Sequence, residues 1–180
     1  MHHNLKYGAQ SLSLHILIVA VVATALVWST LVLPWATVET RNFFTGIQLS
    51  TRSFFDLGLE DLPNFIYRST LGFSAIAVSA ALIHYFLPAL ATMFGLGPNA
   101  KLLASSVYVI GLAAALWVAF AGAFTAFMII DLMSSSDFGR FTIDLGEPAI
   151  GTWIMLIGAV TYLVYFFMCL ASYGFKLFKR

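Results

Sequence analysis

Four runs of apolar residues, at 12–33, 69–94, 102–130 and 150–175, contain no Asp, Glu, Lys or Arg. Each can cross a hydrocarbon layer about 30 Å thick, which takes roughly 20 helical residues. In lipid, such a segment satisfies its own backbone polar groups only as a helix. Strand-like alternation is missing from all four, which excludes a membrane β-barrel. The pattern predicts an all-α membrane protein, with four transmembrane helices forming one integral domain over residues 1–180.

The segments between the runs are unequal. The second connection, FGLGPNAK, is a tight turn in which Gly95, Gly97 and Pro98 end one helix and Asn99 starts the next. The first and third, 34–68 and 131–149, are long enough to hold structure. After Trp35 the first alternates through WATVET, turns at RNFFTG and alternates again, with Ile47, Leu49 and Thr51 on one side and Gln48, Ser50 and Arg52 on the other. That is a hairpin signal. The third repeats it in RFTIDL, where Phe141, Ile143 and Leu145 alternate with Arg140, Thr142 and Asp144. An isolated hairpin is marginal and a third strand steadies it. The two loops are therefore expected to build a small β-hairpin or three-stranded cap on one side of the bundle. Ser53 is placed to cap a short helix bearing Phe54, Phe55 and Leu57. Asp61 with Pro63, and Glu147 with Pro148, mark helix starts. Pro88 falls inside the second run and is expected to kink it.

Composition agrees with this pattern. The chain is 61% hydrophobic and 9% charged, against roughly 25% charged in soluble domains. A formal net charge of +1 gives no basic face, and nothing points to nucleic acid. The single cysteine, Cys169, excludes a disulfide within the chain and a cysteine metal site. The first run is too long for a signal-peptide core and reads as an uncleaved span. Charge placement orients the bundle. Lys6, Lys101, Lys176, Lys179 and Arg180 lie at the chain ends or the second connection. All the carboxylates lie in the two long loops: Glu39, Asp56, Glu60 and Asp61 in the first, Asp131, Asp137, Asp144 and Glu147 in the third. By the positive-inside rule both termini are cytoplasmic, and the cap faces out from a plasma or inner membrane.

Small residues mark the expected helix seams: Ala75 and Ser79 on the second helix, Gly111, Ala115 and Ala119 on the third, Gly151 and Gly158 on the fourth. The many Phe residues then fill the outer surface, facing lipid or a partner. Two motifs flank the loops: Leu33-Pro34-Trp35 at the exit of the first helix, and Gly151, Trp153 and Gly158 opening the fourth. With this helix and strand order the chain resembles a loose group of uncharacterised bacterial four-helix membrane proteins. Its topology is similar to the claudin-like tetraspans, whose outer loops form a small sheet. Only Trp35 matches the claudin-like loop signature, and the paired cysteines of that signature are missing, so a junction function does not carry over.

For chemistry, the histidines come first. His15 and His84 both fall in the cytoplasmic half of their helices, and intramembrane ionisable residues are functional candidates. Together they could ligate haem iron, or one could hold a chlorin or copper. The plainer alternative is that His84 bonds a hydroxyl on a neighbouring helix while His15 snorkels to the headgroups. Tyr162, Tyr165 and Tyr173 read as packing and belt residues. No catalytic motif is present, and no buried carboxylate marks a transport path. The leading expectation is a non-enzymatic accessory or scaffold subunit of a larger membrane assembly. It would meet lipid and other membrane subunits through its helix faces, and partners outside through Trp35, Phe43, Phe44, Phe54, Phe55 and Phe141. The alternatives are a haem- or pigment-binding electron-transfer subunit and a small channel or transporter.

Overall fold

The computed structural model describes residues 12–42, 46–57, 59, 61–96, 99–134 and 143–177. Along the chain run α1 (Leu14–Ser29), β1 (Ala36–Asn42), β2 (Gly46–Arg52), a 3-10 turn at Phe55–Leu57, α2 (Asp61–Met93), α3 (Asn99–Ser134), β3 (Ile143–Pro148) and α4 (Ile150–Leu177). The protein is mostly helical, and α2, α3 and α4 are long and apolar enough to cross a membrane.

α1 has 16 residues, about 24 Å of helix at 1.5 Å per residue. It does not stop abruptly. Thr30, Leu31 and Val32 donate their backbone N–H groups to Val27, Trp28 and Ser29, each three residues back. This tighter turn adds about 6 Å. α2 and α3 both exceed the apolar runs that announced them. α2 begins at Asp61, where Asp61 and Pro63 marked a helix start, ahead of the apolar run at 69, because its polar first turns, Arg68 included, are already helical. Pro63 is tolerated there, where a missing N–H has no intrahelical acceptor to lose. α3 continues through Asp131 to Ser134. Hydrophobicity locates the apolar part of a helix, while caps and tertiary contacts set its ends. At the other end of α2, Gly95 takes a left-handed φ of 61°, and the Leu96 N–H returns to the Ala91 carbonyl at 3.1 Å. That is a Schellman closure, and glycine accepts its backbone without strain. Asn99 starts α3 as expected.

Each helix packs against its neighbours in sequence, and α1 closes the ring against α4. Cross-helix contacts show that all four adjacent pairs are antiparallel. Trp28 and Thr30 of α1 reach Ser74 and Tyr67 of α2. Gly111 and Gly122 of α3 face Tyr165 and Ala159 of α4, and Gly158 of α4 faces Val27 of α1. Small residues let the backbones approach. A methyl added at Gly111 would stand 3.0 Å from the Ala80 methyl, one at Gly158 3.0 Å from Val27, and one at Gly122 3.2 Å from Ala159. Ala115 and Ala119 are buried with them. Ala75 and Ser79 lie elsewhere than expected. The buried stripe of α2 runs through Tyr67, Thr70, Ser74, Ala77, Ala81 and His84. Rotation of about 100° per residue carries Ala75 to a half-buried and Ser79 to an exposed position. There, with Ile76, Ala80, Ile83, Val107 and Ile110, they line an outer groove of about 330 Å³ between α2 and α3.

The sheet has the order β2-β1-β3, antiparallel throughout. β1 and β2 pair without a break from Ala36↔Arg52 to Asn42↔Gly46. β1 and β3 pair from Ala36↔Pro148 to Thr40↔Ile143, with an irregularity between Val38 and Thr40. The third strand thus joins the hairpin as anticipated, at 143–148 rather than 140–145, of which 140–142 lie outside the described residues. β3 also docks on the end of α3, where Met133 Sδ occupies the space a side chain at Gly146 would need.

These contacts separate two helical glycines. Gly111→Leu is expected to destabilise the bundle by about 1–3 kcal/mol through overpacking against Ala80. Gly72→Ala, with nothing within 4 Å of the added methyl, is expected to stabilise it by about 0.5–1 kcal/mol through helix propensity. Thermal unfolding of both variants in one mild detergent, read as Tm, checks the pair.

Candidate functional site

The LPW exit meets the start of α4. Pro34 has no N–H, and its carbonyl and that of Trp35 follow directly on the 3-10 end of α1. Both accept from the residues that open α4. Gly151 N–H donates to Pro34 O at 2.8 Å, Ala149 N–H to Trp35 O at 2.8 Å, and Thr152 Oγ1 to the same Trp35 O at 2.7 Å. Helix-start N–H groups have no intrahelical acceptor, so these bonds satisfy both sides. A methyl at Gly151 would stand 2.7 Å from Pro34 O and 3.2 Å from Leu33 O. The Trp35 N–H donates to Arg52 O at 2.8 Å, which joins β2 to the same point.

The Trp35 side chain turns inward. It is 0% exposed, and its Nε1 donates to Thr30 O at 2.8 Å. Its ring meets Phe54 and Tyr67 edge-on, with centroids 4.9 and 5.2 Å away. Phe54 and Tyr67 lie 4.3 Å apart, and the Tyr67 hydroxyl pairs with Thr30 Oγ1 at 3.1 Å. Aromatic contacts of this kind add roughly 0.5–1.5 kcal/mol each beyond area burial. Trp35 and Phe54 were expected to face a partner, and the structure corrects this: both are core residues holding the sheet to the helices. Phe55 is 47% exposed, packs on Tyr67 and carries the Arg68 guanidinium 5.7 Å above its ring. Phe43, Phe44 and Phe141 lie outside the described residues. The short turn is closed by Asp56 rather than by the Ser53 hydroxyl acting as a cap: Ser53 Oγ donates to Asp56 Oδ2 at 2.6 Å, and Ser53 N–H to the same oxygen at 3.4 Å. The hydroxyl bond, then the backbone bond, then the charge of Arg52 hold the Asp56 carboxyl below the ordinary carboxylate range.

Deeper in the bundle a second polar group joins three helices. The Tyr162 hydroxyl of α4 donates to Ser74 O of α2 at 3.0 Å and pairs with Thr24 Oγ1 of α1 at 2.6 Å. Trp28 Nε1 of α1 donates to Ser74 Oγ at 2.9 Å. Outside it, Trp117 Nε1 of α3 donates to Ser69 Oγ of α2 at 3.2 Å. Trp153 is 48% exposed.

Toward the end away from the sheet, His84 is 2% exposed, its ring 6.0 Å from that of Tyr108. Tyr165 and Cys169 are buried on α4. His15 and His84 fall toward the same end of the antiparallel α1–α2 pair. Their faces differ, because His84 points into the bundle while His15 is exposed. Among the described residues no group of three or more His, Cys, Asp or Glu could hold a metal ion.

Sequence reasoning singled out Trp35, Gly151, Gly158, His84 and Tyr162 but missed Thr30, Tyr67, Thr24, Ser74, Thr152 and Gly122. For Thr24, Thr30, Ser74 and Thr152 a hydroxyl within an apolar run is the available signal, since each needs a partner in a dry interior.

Trp35→Ala is expected to cost about 3–5 kcal/mol, and Gly151→Ala about 1–3 kcal/mol because the opposing atom is backbone. Tyr162→Phe is expected to cost about 1 kcal/mol for its lost hydrogen bonds. Tm measurements rank the three. Ser53→Ala is expected to move the Asp56 titration upward, toward the ordinary carboxylate range, read by carboxyl ¹³C NMR against pH. In the wild type, a depressed carboxyl contributes stability at neutral pH and loses it only as pH falls below that ordinary range. No protein-family model matches the chain, and no curated protein matches it.

Proposed function

We propose that this chain is a four-span integral membrane protein of a plasma or inner membrane, with both termini cytoplasmic and the sheet outside. Within that membrane it serves as a non-enzymatic accessory or scaffold subunit of a larger assembly.

The observation that carries the reading is the unequal height of the exposed apolar surface. On α1 the exposed large apolar residues run from Leu14 to Val32, about 29 Å at helical rises of 1.5 and 2.0 Å, a match for the hydrocarbon layer. On α2 they run from Leu62 to Met93, and on α3 from Leu102 to Phe127, about 47 and 38 Å. A helix would need a tilt of about 50° to fit 47 Å into 30 Å, beyond the roughly 0–40° seen for spanning helices. Lipid tails therefore match α1 and leave apolar surface over on α2, beside α3. Exposed apolar surface of that kind marks an interaction face. Its exposed large residues, Phe65, Phe73, Phe120, Phe124 and Phe127 among them, suit packing against partner helices.

Two measurements test this. Alkaline carbonate washing is expected to leave the protein in the membrane pellet, and its release would end the membrane reading. Single-cysteine crosslinking in native membranes, in a Cys169→Ala background, is expected to give partner products from positions 65, 124 and 127 of the α2–α3 face and none from 18 and 157. Absence of products from both faces, with a monodisperse lone monomer in mild detergent, would remove the subunit role while leaving the membrane reading standing.

A further inference from the structure

We draw no further inference here: the strongest candidate, the apolar groove between α2 and α3 lined by Ala75, Ile76, Ser79, Ala80, Ile83, Val107 and Ile110, belongs to the face already proposed to meet partner helices, and nothing in the structure shows what covers it.

Discussion

The Pro34 and Trp35 carbonyls, held by the first residues of α4, tie the two parts of this protein together. A chain leaving a helix carries carbonyls without donors, and a helix beginning carries N–H groups without acceptors. Here these two deficits cancel across 117 residues of sequence. The constraint propagates in three directions. Toward α1, Trp35 turns back to donate to Thr30 O. Toward the sheet, the same residue fixes Arg52 of β2, and β1 starts at the next position. Toward α4, Gly151 must remain without a side chain, because Pro34 O and Leu33 O stand where a Cβ would project. Ring closure between α1 and α4 and the register of the sheet thus share one anchoring point.

Inside the bundle the same accounting governs the hydroxyls. The Tyr162 hydroxyl lies within reach of Ser74 O at 3.0 Å and of Thr24 Oγ1 at 2.6 Å, while Thr24 Oγ1 donates to Ala20 O at 2.8 Å. The two hydroxyls thus form one chain between the carbonyls of α1 and α2, with Tyr162 of α4 as its middle member. Unsatisfied polar atoms in an apolar interior cost several kcal/mol. This short chain consequently selects the rotation of α1, α2 and α4 about their own axes, which packing of Ala and Gly alone would leave loose.

Much of this is legible in the amino-acid sequence. The apolar runs located the helices because hydrophobicity is a property of segments. The alternation in both long loops located the sheet because period two survives without neighbours. The glycines at 111, 151 and 158 stood out because a missing side chain in an apolar run has few other uses. Other features were not legible. Ala75 and Ser79 share the spacing of a seam, yet the seam of α2 lies one position away, since helix rotation is set by Ser74, Tyr67 and their partners on α1 and α4. Trp35 and Phe54 read as surface aromatics because a loop is presumed outside, and here the loop folds its largest rings under the sheet. His15 and His84 fall toward the same end of the bundle, but that says nothing of azimuth, and only one of them is buried.

The short α1 explains both the cap and the uneven faces. Thr30 lies level with Tyr67, so α2 continues six residues further to Asp61, about 9 Å, and α3 rises beside it to Ser134. A step is left above the end of α1. Trp35, Phe54 and Tyr67 fill it, and the sheet extends from there to Met133 on the last turn of α3. The sheet therefore completes the low side of the bundle and leaves the outward faces of the tall helices bare, with Phe124, Phe127, Leu62 and Phe65 all exposed. A helix one turn longer at α1 would level the two sides, but would drive Trp35 and the sheet off the α4 start. The uneven apolar height that motivates a partner is, in this sense, a geometric consequence of where the Pro34 and Trp35 carbonyls must end.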